Sequence, residues 1–300
     1  MNILVLGGTR FFGKLLVERL IREGHAVTLL TRGETSDQFA GNVQRIKCQR
    51  SDADGMRRCL EGKRFDAVYD QICFSPDDAA ITCDIFNKAG VAKYIFTSSV
   101  YVYEGRDELL DEHDFKPEEH AIKMGPRELF SYAEGKRMAE VYFAHKATFP
   151  CVSVRFPIVM GRDDYTGRFA HYVSRILFAQ NIYLPHPQGK MNFINARDAA
   201  GFLFWLKDVD FTGAINAASE ASFNADELVE MFSKVLGKPP RIVARPEDSD
   251  ETFYPYCKEN NMIMAVARAR SLGFEFSSFH EWFSREVEFV KEGLCAGRCR

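Results

Sequence analysis

Residues 1–13, MNILVLGGTRFFG, place an apolar run of strand length directly before a glycine-rich turn and the start of a helix. Ile3 to Leu6 read as a buried strand. Gly7 and Gly8 let the backbone turn sharply and approach a ligand, and Gly13 lets the next helix pack close to the strand. Phe12, Leu15, Leu16 and Leu20 then recur at helical spacing. A helix that starts here offers unpaired N–H groups and the positive end of its dipole to a phosphate. Strand, glycine turn and helix in this order predict a site for a dinucleotide pyrophosphate, formed by Gly7, Gly8, Thr9, Arg10, Phe11, Phe12 and Gly13.

Strand-like runs recur at 27–31, 43–48, 67–70, 94–97 and 152–156, separated by helical patterns such as 77–88 and 127–147. Such alternation predicts an α/β fold, a doubly wound parallel sheet (Rossmann) covered by helices on both faces. Pro76 followed by Asp77 and Asp78 has the composition of a helix start. After residue 156 the alternation turns irregular: helices at 168–179, 196–207, 224–236, 264–272 and 278–292, a strand at 214–216, and a Pro- and Gly-rich loop at 185–189. Three hundred residues allow two lobes. We expect a dinucleotide-binding domain over 1–156, with a return contribution near 193–216, and a smaller mixed substrate-binding lobe over 157–300. The 163–168 and 185–189 loops are expected to wall the far side of the crevice.

A net charge of −3 and a pI near 6.2 give no electrostatic reason to bind nucleic acid or an anionic membrane. No apolar run approaches the ~20 residues that span a bilayer, and no leader pattern is visible, so a cytoplasmic location is expected. The eight cysteines lack paired CxxC spacing and read as free thiols, with Cys295 and Cys299 in a frayed tail and no metal site expected.

The chemistry gathers at two places. Tyr132 and Lys136 lie four residues apart in a helical stretch and so share one face. An ammonium beside a phenol favours the phenolate, so the pair can exchange a proton with a hydroxyl or carbonyl near neutral pH. Ser99 stands at the carboxyl end of the strand at 94–97, where strand ends of a doubly wound sheet face the ligand crevice. Its hydroxyl and that of Tyr132 would hold one reacting oxygen between them.

The pieces GGTRFFG, TSSVYVY, YAEGK, RFPIVMG (155–161), FINARDAA (193–200) and ARSLGFEF resemble, in this order and over nearly the whole chain, the extended short-chain dehydrogenase/reductase family in its NAD-dependent epimerase/dehydratase branch. That branch also contains the chloroplast stem-loop RNA-binding proteins. The resemblance implies Ser99 as the substrate-orienting hydroxyl, Tyr132 as acid/base, Lys136 as the group that binds the nicotinamide ribose and tunes the tyrosine, and Asp52 near the adenine. Asp52 could equally cap the helix that follows it. The resemblance also implies a homodimer through the helices around the YxxxK segment.

Three departures refine this. Val100 and Tyr101 stand where dehydratases of the family carry Asp-Glu, which argues against a sugar 4,6-dehydratase. Met191 stands where sugar-nucleotide enzymes carry an arginine for the substrate diphosphate, leaving Lys190, Arg168 or Arg175 to substitute, of which Arg168 is the choice. The second strand ends in Thr31 and Arg32 with no carboxylate for a ribose 2′-hydroxyl. Arg32, with Arg10 in the phosphate turn, therefore predicts NADP, with NAD as the alternative. The resulting expectation is an oxidoreductase or epimerase acting on a hydroxyl or keto carbon of a polar, sugar-like small molecule, with a nucleotide sugar as one candidate. The alternative is a non-catalytic RNA-binding or cofactor-sensing protein on the same fold.

Overall fold

The computed structural model describes residues 1–245 and 253–296. Its first half builds the sheet: β1 (Asn2–Leu6), α1 (Phe11–Arg22), β2 (Ala26–Thr31), β3 (Val43–Lys47), α2 (Ala53–Leu60), β4 (Phe65–Asp70), α3 (Pro76–Ala89), β5 (Val91–Ser99), α4 (Tyr132–Lys146) and β6 (Cys151–Phe156). The second half adds β7 (Ile158–Met160), α5 (Arg168–Leu177), β8 (Asn181–Tyr183), β9 (Met191–Asn195), α6 (Ala196–Leu206), β10 (Gly213–Asn216), β11 (Ser222–Phe223), α7 (Ala225–Leu236), β12 (Arg241–Val243), α8 (Ala267–Ser271) and α9 (Phe279–Cys295).

The central sheet has the order β10-β6-β5-β4-β1-β2-β3, and each pairing in it is parallel. Ile3 to Leu6 of β1 are fully buried because helices cover both faces. On one face Leu16, Val17 and Leu20 of α1 pack with Phe202, Leu203 and Leu206 of α6. On the other, Phe86 and Phe143 meet Tyr94, Phe96 and Phe149. The strand order reverses between β1 and β4, so the connections leaving their carboxyl ends diverge and open a crevice there. A third core, centred on Phe169, Phe193, Phe232, Phe279 and Phe283, fills the carboxyl-terminal half.

The structure shortens two expected helices. The 127–147 pattern yields one 3-10 turn at Arg127–Leu129, and α4 starts only after Ser131, whose Oγ caps it by accepting from Glu134 N at 3.2 Å. The 264–272 pattern is helical only from Ala267, because Met264 is drawn into a bridge with Leu110. The short strands β7, β8, β9, β11 and β12 add to what the sequence pattern predicts. Cys295 ends α9, exposed, and Cys299 lies outside the described residues. No helix among the described residues is long and apolar enough to cross a membrane.

Candidate active site

The glycine turn behaves as its sequence requires. Gly7 and Gly8 have φ of +91° and +88°, left-handed values that favour glycine. A Cβ at Gly8 would come within 2.8 Å of Val5 Cγ1, and one at Gly13 would collide with Gln71 Oε1. Gln71 and Ile72, just past β4, thus floor a groove that encloses about 600 Å³. Gly7, Gly8, Thr9, Arg10, Phe11 and Phe12 line it on one side, and Arg32, Gln49, Ile81 and Tyr165 lie further round. A groove of this size, floored where any Cβ would intrude, fits a dinucleotide. Phe11 opens α1 at φ +48°, a conformation that costs a non-glycine residue about 1 kcal/mol or more, and its buried ring is held against Phe12 and Tyr165.

Arg10 is the residue before α1 and not part of its first turn. Its Nε donates to Thr35 Oγ1 at 3.2 Å and its guanidinium lies 5.4 Å from the Tyr165 ring centre. Arg32 is exposed and ion-paired with Glu34 at 2.8 Å. Asp52 caps α2, accepting from Gly55 N at 2.9 Å, and borders a second hollow that shares Arg32 with the groove.

At the other end of the crevice β5 delivers Ser99, and the first residue of α4 is Tyr132. The Ser99 hydroxyl stands close enough to the Tyr132 hydroxyl to act on it. Tyr132 stands between Phe74 (6.2 Å between ring centres) and Tyr101 (6.1 Å), with half its surface open. Lys136, one turn on, is buried and donates to the carbonyls of Cys73 and Thr97, both at 2.7 Å. Its Nζ lies 4.4 Å from the Phe74 ring centre and 5.9 Å from that of Tyr132. Burial pushes the ammonium down to about 8, against the opposing pull of Cys73, Asp70 and Asp78. Desolvation raises the Tyr132 phenol more than the nearby Ser99 hydroxyl and the Arg168 charge lower it, so the shift toward phenolate expected from Lys136 is not found. The three expected catalytic groups therefore meet: an oxygen placed at Ser99 can take or give a proton at the Tyr132 hydroxyl.

Arg168 opens α5, makes no ion pair among the described residues, and stands near enough to act on the phenol. The other two candidate cations are committed elsewhere. Lys190 pairs with Glu227 at 2.7 Å, and Arg175 donates to the Asn181 carbonyl. The 163–168 loop contributes Tyr165 to the groove wall. The 185–189 loop packs instead on Lys258 and the start of α7, through Gly189 N to Lys258 O and Ala225 N to Pro187 O.

Sequence reading missed the support of this site. Glu140 continues the Tyr132–Lys136 face by one more turn and is fully buried. It accepts from Arg155 Nη2 at 2.6 Å, from Arg155 Nε at 3.1 Å and from Ser98 Oγ. Arg155 also donates to Tyr103 Oη at 2.8 Å and to the carbonyls of Glu112 and Phe115, both at 2.9 Å, and Tyr103 Oη donates to Asn216. A lone carboxylate in the apolar stretch MAEV, and a lone arginine in VSVRF, were the available signals. Phe74, held between the Lys136 ammonium and the Arg127 guanidinium (4.5 Å), carried none.

Residues 3–218 match the family described as NAD dependent epimerase/dehydratase. The chain is 35% identical over 290 residues to the chloroplast stem-loop binding protein of 41 kDa b of Arabidopsis thaliana, covering 90% of this chain and 73% of that one. Over 100 residues, 33% of this chain and 28% of the other, it is 30% identical to the 2′-dehydrokanamycin reductase of Streptomyces kanamyceticus. Its fold is similar to that of UDP-glucose 4-epimerase from Thermus thermophilus, solved in complex with NAD. The TM-score is 0.76 at 19% identity, with 97% of this chain and 99% of that one covered.

Proposed function

The chain belongs to the NAD-dependent epimerase/dehydratase family, and on that premise we propose that it is an NADP-dependent oxidoreductase or epimerase acting on a hydroxyl or keto carbon of a polar, sugar-like substrate. The observation that carries this reading is Ser99, Tyr132 and Lys136 gathered beside Phe74, which lines the glycine-rich groove. The nicotinamide, when bound, supplies or accepts the hydride. Ser99 orients the reacting oxygen and Tyr132 gives or takes its proton. Lys136, with two donors fixed on carbonyls, keeps a positive charge beside the phenol and a donor for a ribose hydroxyl. Returning the hydride to the opposite face would make an epimerase. Releasing the product would make a reductase, the class named for the Streptomyces relative.

NADP is favoured by Arg32 and Arg10 on the groove and by the missing carboxylate at the end of β2. Gly7, Gly8, Thr9, Phe11, Phe12 and Gly13 hold the pyrophosphate in this reading, with Asp52 on the adenine side. Arg168 is the contact for an anionic group of the substrate. Residues 1–156 with 193–216 serve the dinucleotide and the rest of 157–300 the substrate, in a cytoplasmic enzyme that forms a homodimer.

A second reading, RNA binding, is favoured by the Arabidopsis relative, a stem-loop binding protein. A pure binder has no physical need for three groups arranged for proton transfer, so catalysis ranks first. Mass spectrometry of ligands released from the purified protein, followed by titration with NADPH, tests the order. A nicotinamide dinucleotide is expected. No bound or binding dinucleotide, together with a salt-dependent shift of RNA, would replace the enzyme by the binder.

A further inference from the structure

The hollow beside the dinucleotide groove shares Arg32 and Glu34 with it and is otherwise bordered by Lys47, Asp52, Arg58 and their neighbours. Local structure explains why these side chains converge. Thr31 and Lys47 are partners across the parallel β2–β3 ladder, so Lys47 leaves the sheet beside the turn that carries Arg32, with its stem along Gly33. On α2, Gly55, Arg58 and Cys59 stand at i, i+3 and i+4, the spacing that sets them on one face toward the hollow. Three cations thus surround one space. Neither Lys47 nor Arg58 has an ion-pair partner among the described residues, and Asp52 is engaged with Gly55 N. Among the described residues, the only carboxylate paired to a cation of the hollow is that of Glu34, at 2.8 Å from Arg32 Nη2.

We infer that this hollow is a phosphate-monoester subsite in which Lys47 and Arg58 join Arg32 as ligands of a ribose 2′-phosphate, and that Glu34 is the internal anion the phosphate must displace. The inference rests on the NADP reading and deepens it by assigning residues that reading does not use. A dianion gains three charge-assisted contacts and loses one repulsion as the exposed Glu34 side chain swings away. Glu34 thereby tempers the preference for NADP, because the 2′-phosphate must first displace it from Arg32.

The test is calorimetric titration of the wild type and of Arg32→Ala, Lys47→Ala, Arg58→Ala and Glu34→Gln with NADPH, NADH, adenosine 2′,5′-bisphosphate and AMP. All four positions are exposed, so the variants keep the fold. Lys47→Ala and Arg58→Ala are expected to weaken NADPH and the bisphosphate about 3- to 10-fold each, less at high salt, and to leave NADH and AMP unchanged. Glu34→Gln should tighten NADPH by a similar factor without tightening NADH. If the wild type prefers NADPH and Arg32→Ala abolishes that preference while the Lys47, Arg58 and Glu34 variants are silent, the inference falls and the NADP reading stands. A wild type that binds NADH as tightly as NADPH overturns both.

Discussion

Glu140→Gln removes one charge from the most enclosed ion pair of the site while keeping the side chain's shape. Both partners are fully buried, and the carboxylate takes three bonds from Arg155 besides that of Ser98. Breaking a buried pair from one side costs about 3–5 kcal/mol, because the remaining ion cannot return to water. Gln keeps one acceptor, so the lower end, about 3 kcal/mol, is expected for this variant. Arg155 also retains Tyr103 Oη and the Glu112 and Phe115 carbonyls, which hold its charge in place but do not neutralise it. The double variant Glu140→Gln/Arg155→Met removes the stranded charge and should recover at least about 1 kcal/mol relative to additivity. Urea unfolding of the four proteins, with unchanged m-values, measures both quantities. A single-variant loss below about 1 kcal/mol, or strict additivity, would show that Glu140 is not the counter-ion on which the α4 face rests.

Tyr132→Phe keeps the ring contacts to Phe74 and Tyr101 but deletes the transferable proton, so turnover should fall about 10²-fold or more, with NADPH affinity, read by titration, unchanged. Lys136 is charged below about 8 and neutral above it, while Tyr132 stays protonated in that range. The kcat/KM for carbonyl reduction should therefore be flat near pH 7 and decline as pH rises through about 8. A Lys136→Arg variant that retains turnover should lack that limb, and an identical limb in it would assign the titration elsewhere. Gly13→Ala pushes a methyl group against Gln71 Oε1, so dinucleotide affinity should drop at least about 10-fold while the fold, followed by circular dichroism, persists.

Much of this arrangement was legible because its signals are local. The glycine turn, the four-residue spacing of Tyr132 and Lys136, and Ser99 at a strand end all rest on short-range pattern, and the structure brings Ser99, Tyr132 and Lys136 together. What escaped depends on contacts between distant segments. Short strands such as β7 and β11 exist only because β9 pairs with both, and nothing within them demands extension. Met264 reads as helical until Leu110, far away in the chain, claims it. Glu140 and Arg155 each look misplaced alone, and they make sense only when α4 is laid on β6. Arg32 is legible as the cation that follows β2, whereas its pairing with Glu34 two residues later is not, because no local pattern folds that exposed turn back on itself.

The segment between Gly161 and Gly167 reaches from the carboxyl-terminal half across to the phosphate turn, where Lys14 holds Asp163 at 3.5 Å and Tyr165 covers Arg10. Both fastenings are partly exposed, and together they are worth about 1–2 kcal/mol. Contacts of that size hold the segment near the phosphate turn without fixing it there, since ordering the loop offsets part of what they contribute. A substitution at residue 165 that loses the Arg10 contact is expected to shorten how long a dinucleotide stays bound, read as its dissociation rate, before it changes how tightly.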